Sequence, residues 1–135
     1  MAMQFSVTVR NAMLDAIETA IGVSAVLKIR SGAQPADCAT ADSGTVLASL
    51  TLPSDWMAAA GSGSKAKSGT WEDASADATG TAAHFRIYES TATTCHIQGS
   101  VTATGGGGNL TLDNVSITST QDAVISSFTI NAGNA

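Results

Sequence analysis

The stretch Ala25-Val26-Leu27-Lys28-Ile29-Arg30 decides the fold class. Ala25, Leu27 and Ile29 alternate with Val26, Lys28 and Arg30, the period of a strand with one face in a core and its charges turned away. Ser31-Gly32 closes this strand, and residues 35–44 form a loop of small and polar residues. Val46, Ala48, Leu50 and Leu52 then alternate with Leu47, Ser49 and Thr51 as a second strand. Pro53 ends it, and Ser54-Asp55-Trp56-Met57 before three alanines predicts one helical turn. Gly61-Ser62-Gly63-Ser64 is linker-like but too short to separate domains, so it reads as a loop into a strand over 66–72.

Two longer strands follow. Residues 81–89 place Ala83, Phe85 and Ile87 on one face and His84, Arg86 and Tyr88 on the other. Residues 94–104 set Cys95, Ile97, Gly99 and Val101 against His96, Gln98 and Ser100. The four glycines 105–108 are costly to order within a strand and force a break. Leu110, Leu112, Val115 and Ile117 make short strands around the Asp113-Asn114 turn, and a last strand runs over 124–130. Seven or eight short strands at regular spacing predict a mainly β chain, a jelly-roll-like β-sandwich. Its core should hold Leu27, Ile29, Leu50, Phe85, Ile87, Ile97, Val101, Leu112, Ile117, Phe128 and Ile130.

Upstream the period changes. Met13, Leu14, Ile17 and Ile21 recur at three- and four-residue spacing, so residues 5–21 predict one short N-terminal helix. Ser6 is placed to cap its start and Gly22 to stop it, with Asp15 and Glu18 off the apolar stripe. The chain therefore divides into an N-terminal helix or arm, 1–22, and a single β-sandwich domain, 23–135. The stripe must be buried on the chain's own sheet or on a partner. Trp56 and Trp71, outside the most regular strands, serve either as core plugs or as contact anchors. The candidate protein–protein interface is thus Met13, Leu14, Ile17, Ile21, Trp56 and Trp71.

Composition narrows the function classes. Ala, Thr, Ser and Gly fill more than half of the 135 residues, and only 13% are charged. A net charge of −5 is too small for a disordered chain, and a pI near 4.6 gives no nucleic-acid footprint. No apolar run approaches the roughly 20 residues that span a bilayer. Met1-Ala2-Met3-Gln4 lacks the basic start and apolar stretch of a secretory leader, so none is expected.

Chemistry finds little to work with. His84, His96, Cys38 and Cys95 are too few and too scattered for the usual four-ligand zinc site, so no metal is expected. Cys95 reads as a small core filler. It and Cys38, which lies in a loop, are expected to stay unbridged. No serine sits in a nucleophile elbow, and Glu72-Asp73 diverge in a strand instead of facing each other. Gly61-Ser62-Gly63-Ser64-Lys65 lacks the spacing of a phosphate loop, and no cofactor is implied. The sequence therefore predicts a protein that is not an enzyme.

The order of segments resembles a family. Arg10-Asn11-Ala12 is followed by Leu27-Lys28-Ile29-Arg30-Ser31-Gly32-Ala33-Gln34-Pro35-Ala36, then Ser43-Gly44-Thr45-Val46-Leu47-Ala48. Gly80-Thr81-Ala82-Ala83-His84-Phe85-Arg86-Ile87, Ile97-Gln98-Gly99-Ser100-Val101 and Ile125-Ser126-Ser127-Phe128-Thr129-Ile130 complete it. Over nearly its whole length the chain resembles small virion proteins of tailed bacteriophages, in particular the jelly-roll cement (decoration) proteins of short-tailed phages. The resemblance implies a capsid-surface protein, assembled in the host cytoplasm, that clamps neighbouring major capsid subunits and stabilises the expanded DNA-filled head. It implies a homo-oligomer, most simply a dimer, with no nucleic acid or membrane bound. Cytoplasmic assembly would also keep both thiols reduced. A phage tail or fibre component is the alternative, and a carbohydrate-binding β-sandwich module, with Trp56, Trp71 and Tyr88 as stacking residues, is another.

Overall fold

The computed structural model describes residues 3–133; residues 1, 2, 134 and 135, the outer ends of the predicted arm and β-domain, lie outside it. The chain is mainly β with one short N-terminal helix. In chain order the elements are α1 (Val7–Ile21), β1 (Val26–Arg30), β2 (Val46–Thr51), β3 (Ser64–Ala66), β4 (Trp71–Asp73) and β5 (Gly80–Thr81). Then come β6 (His84–Tyr88), β7 (Cys95–Ala103), β8 (Leu110–Leu112), β9 (Ser116–Ile117), β10 (Ala123–Ile125) and β11 (Thr129–Asn131). A five-stranded sheet runs β2-β1-β6-β7-β8, and β10–β4, β11–β3 and β5–β9 form three small ladders.

The alternation of Leu27, Ile29, Phe85 and Ile87 turns one face of the main sheet into the core, where all four are buried. A run of rings covers that face, Trp71 from β4 and Trp56 and Phe128 from segments outside the strands. Trp56 lies 6.1 Å from Trp71, Trp71 5.5 Å from Phe128, and Phe128 5.7 Å edge-on from Phe85. With so few large side chains, these four rings fill space that small residues cannot.

Several boundaries differ from the sequence reading. The strand expected over 66–72 is two, because β3 pairs with β11 while β4 pairs with β10. The strand over 124–130 breaks for the same reason, and Phe128 turns inward between its halves. No helical turn forms at Ser54–Met57. Instead, Trp56 and Met57 are both buried and Met57 bridges to Lys67. Ile97 and Ile130, expected in the core, are only half-buried at its edge.

The four glycines do more than break a strand. β7 and β8 are parallel, with Val101 opposite Leu110, although only six residues join them. A parallel return this short is unusual. Gly105 and Gly107 take φ of 88° and 82°, the left-handed region that favours glycine. A Cβ on Gly106 or Gly108 would stand 2.8 Å from the Thr102 side chain. Thr102 Oγ1 then accepts the Gly108 N–H at 3.0 Å and fixes the turn.

Candidate functional site

Ser6 caps α1 by accepting the Val9 N–H at 3.2 Å, and Gly22, at φ 92°, ends it by donating to the Glu18 carbonyl. The helix lies on the β-domain. Leu14 and Ile21 are buried, and Ile17 packs half-buried against the core. Of the two places open to the stripe, a partner or the chain's own sheet, Leu14, Ile17 and Ile21 take the second. Met13 is the exception: it points away from the body, 48% exposed.

The charged and amide side chains of α1 also reach the body, while Thr8 and Thr19 stay exposed. Arg10 donates to the Ala132 carbonyl, and Asn11 accepts the Gly63 N–H at 2.9 Å. Lys65, 2% exposed, reaches Asp15 at 2.7 Å and Glu18 at 3.1 Å. Asp15 also accepts the Ala60 N–H, and Trp56 donates its indole N–H to the Gly22 carbonyl. Bonding to Lys65, then to Ala60, holds the Asp15 carboxyl below its ordinary value. Burial alone would lower the Lys65 pKa, but its bonds to Asp15 and Glu18 outweigh that and raise it.

What remains outside is a stripe without charge. Val9, Ala12, Met13, Ala16 and Ala20 are all exposed and recur at three- and four-residue spacing. Met3 and Val7 precede the stripe, and Val23 follows it.

Trp56 and Trp71, the two other candidate contact residues, are fully buried. Of the two readings, core plug or contact anchor, their packing in this chain is that of core plugs, and neither offers its ring to a partner. Tyr88 is buried as well, so no one of the three presents a ring to a sugar.

A second cluster lies on the other face of the main sheet. Lys28 stands opposite Arg86, so like charges face each other across β1 and β6, and Arg30 stands opposite His84. The loop between β1 and β2 covers them and buries the face read as outward. Its Asp42 takes Arg30 at 2.9 Å, the Tyr88 hydroxyl at 2.7 Å and the Arg86 guanidinium. Burial would raise the Asp42 pKa, but the bonds from Tyr88 and Arg86 and both guanidinium charges hold it low. Arg86 also donates to the carbonyls of Asp37, Cys38 and Thr40, which a planar fork can gather and a point charge cannot. His84 donates its Nδ1–H to the Gly32 carbonyl at 3.0 Å, and burial lowers its pKa.

The loop face also brings Cys38 to Cys95. A register shift at Ile87/Tyr88 pairs Tyr88 with Cys95, skipping His96. This one-residue bulge moves Cys95 from the predicted core face to the loop face. Both thiols are free.

Among the described residues, no three His, Cys, Asp or Glu side chains converge as metal ligands, and no helix is long and apolar enough to cross a membrane. Sequence reasoning missed Lys65, Asp42 and Arg86. The available signal was charge itself: cations at Lys28, Arg30 and Arg86 share one sheet face and require a carboxylate from the adjoining loop. No protein-family model, curated protein or solved structure matches the chain.

Proposed function

We propose that the protein is a non-enzymatic structural protein that binds by surface area, with the outer face of α1 as its contact element. One observation carries this reading. Six large apolar side chains stand exposed among the described residues, and five of them, Met3, Val7, Val9, Met13 and Val23, lie on α1 or its flanks. Such a concentration on a small domain marks an interaction surface.

Taken with the sequence resemblance, the partner is the major capsid protein and the place is the capsid surface. There the chain, as a homo-oligomer, clamps neighbouring subunits of the expanded head. The size of the stripe supports repeated attachment. Five residues and their flanks fall well short of the roughly 20–30 residues a side in a standard stable interface. A single contact is therefore weak, and several engaged at once raise avidity by a factor on the order of 10²–10⁴. A tail or fibre position would use the same face and differ in copy number.

The test adds wild-type protein and a Met13→Glu variant to particles stripped of the protein. Wild type should decorate them, and Met13→Glu should bind at least about tenfold more weakly, by the cost of burying an unpaired charge. Full-strength binding by Met13→Glu removes α1 from the interface. Wild-type protein that ignores capsids and co-purifies with tails removes the capsid assignment.

A further inference from the structure

We infer that Cys38 and Cys95 form a thiol–disulfide site that closes on reaction with a small-molecule disulfide. The inference rests on the loop face and is independent of the docking reading.

Three observations place the pair. The Cys95 thiol donates to the Ile97 carbonyl at 3.3 Å and stands close enough to the Cys38 thiol to interact with it. Both line one shallow depression of about 260 Å³ together with Thr40, Asp42, Arg86 and Thr94, so a small disulfide has an approach to them. The Cys38 backbone is also held, because Arg86 takes its carbonyl at 3.2 Å and the Asp37–Thr40 turn is closed by two bonds to the Asp37 carboxylate. Loop and strand are thus already positioned, and no chain closure remains to be found by diffusion.

The two thiols differ in access. Cys38 is half-buried, whereas Cys95 is 8% exposed. Burial, then the bond and charge interaction with Cys38, push the Cys95 thiol up to about 12. Arg86 opposes that shift and Asp42 adds to it. Cys38 therefore reacts first. Its thiolate attacks one sulfur of oxidised glutathione, forming a Cys38–glutathione disulfide and releasing one glutathione thiolate. Cys38 then carries no charge, which removes its contribution to the raised Cys95 pKa. The Cys95 thiolate attacks the Cys38 sulfur, forms the Cys38–Cys95 bond and expels the second glutathione thiolate. Two protein thiols are oxidised, one disulfide is reduced to two thiols, and the two protons end on glutathione.

Closure would fasten the loop to β7 covalently where Arg86 already fastens it by hydrogen bonds. In a reducing compartment the pair stays open.

The experiment treats the folded full-length protein with excess oxidised glutathione and follows intact mass. The expected product is a monomer two hydrogens lighter, with both thiols lost to titration and a cross-linked peptide joining Cys38 to Cys95. Closure should be at least about tenfold faster folded than in denaturant, reflecting the pre-positioned pair. A product that stops at a glutathione adduct, links two chains or stays reduced overturns the proposal. So does equal closure folded and denatured.

Discussion

The inner face of α1 carries Arg10, Asn11, Asp15 and Glu18 beside Leu14, Ile17 and Ile21; the outer face carries Val9, Ala12, Met13, Ala16 and Ala20. All three charged residues of the helix bond to the body, Asp15 from a half-exposed edge, and the stripe of Val9, Ala12, Met13, Ala16 and Ala20 has none. The apolar stripe faces the core as in any surface helix, but the charges depart from the usual place on the opposite face. The reason lies in Lys65, a buried cation on β3 that needs anions and takes them from α1. A charge on a helix therefore marks its solvent face only when the body beneath offers no buried partner.

The contrast breaks most sharply by substitution at the inner face. Leu14→Ala, which deletes a side chain only 2% exposed, should cost about 3 kcal/mol in denaturant unfolding. Lys65→Met should cost about 2 kcal/mol, below the roughly 3–5 kcal/mol of a broken buried pair, because Asp15 is half-exposed and can be rehydrated. Costs below about 0.5 kcal/mol for both would mean that α1 does not hold the fold.

The ionic side of the inner face carries its own pH signature. Asp15 is depressed below 3.8, so its contribution is present above that ordinary value and is lost as pH falls through the depressed one. Lys65 is raised above 10.5, so its contribution is present below that value and is lost as pH rises through the raised one. The difference in unfolding midpoint between wild type and Asp15→Asn should be constant between these limits and shrink as pH falls through the depressed Asp15 value, because the losses from His84 and Cys95 are common to both. An unchanged acid limb in Asp15→Asn would assign the acid loss to other carboxylates.

The outer face should give the smallest change in stability. Met13→Glu is expected to move the unfolding free energy by less than about 0.5 kcal/mol, as surface changes do. With no charge on the stripe, attachment should also survive high salt. Dissociation of decorated particles between low and high salt would show instead that charges carry the contact.

Much of this contrast was legible in the sequence, and the remainder was hidden for physical reasons. Alternation found β1, β2, β6 and β7 because each has one face in the core. Ser6 and Gly22 marked the ends of α1 through their capping chemistry. The three-four spacing that joined Met13 to Leu14, Ile17 and Ile21 could not say which edge of that arc met the body. That choice depended on Lys65, about fifty residues away. The Trp56 and Trp71 alternative was likewise decided by long-range packing. The thiol pair was hidden by a single bulge, which changes the face of Cys95 without changing the pattern of its neighbours.

The most direct test of the two-faced helix is methionine oxidation by dilute peroxide, read residue by residue on free and particle-bound protein. Met13, 48% exposed, should oxidise readily in the free protein, while Met57, 1% exposed, should resist. On decorated particles Met13 should slow by about tenfold or more, reflecting exclusion of solvent from the contact. Equal Met13 oxidation in the free and bound states would contradict the account.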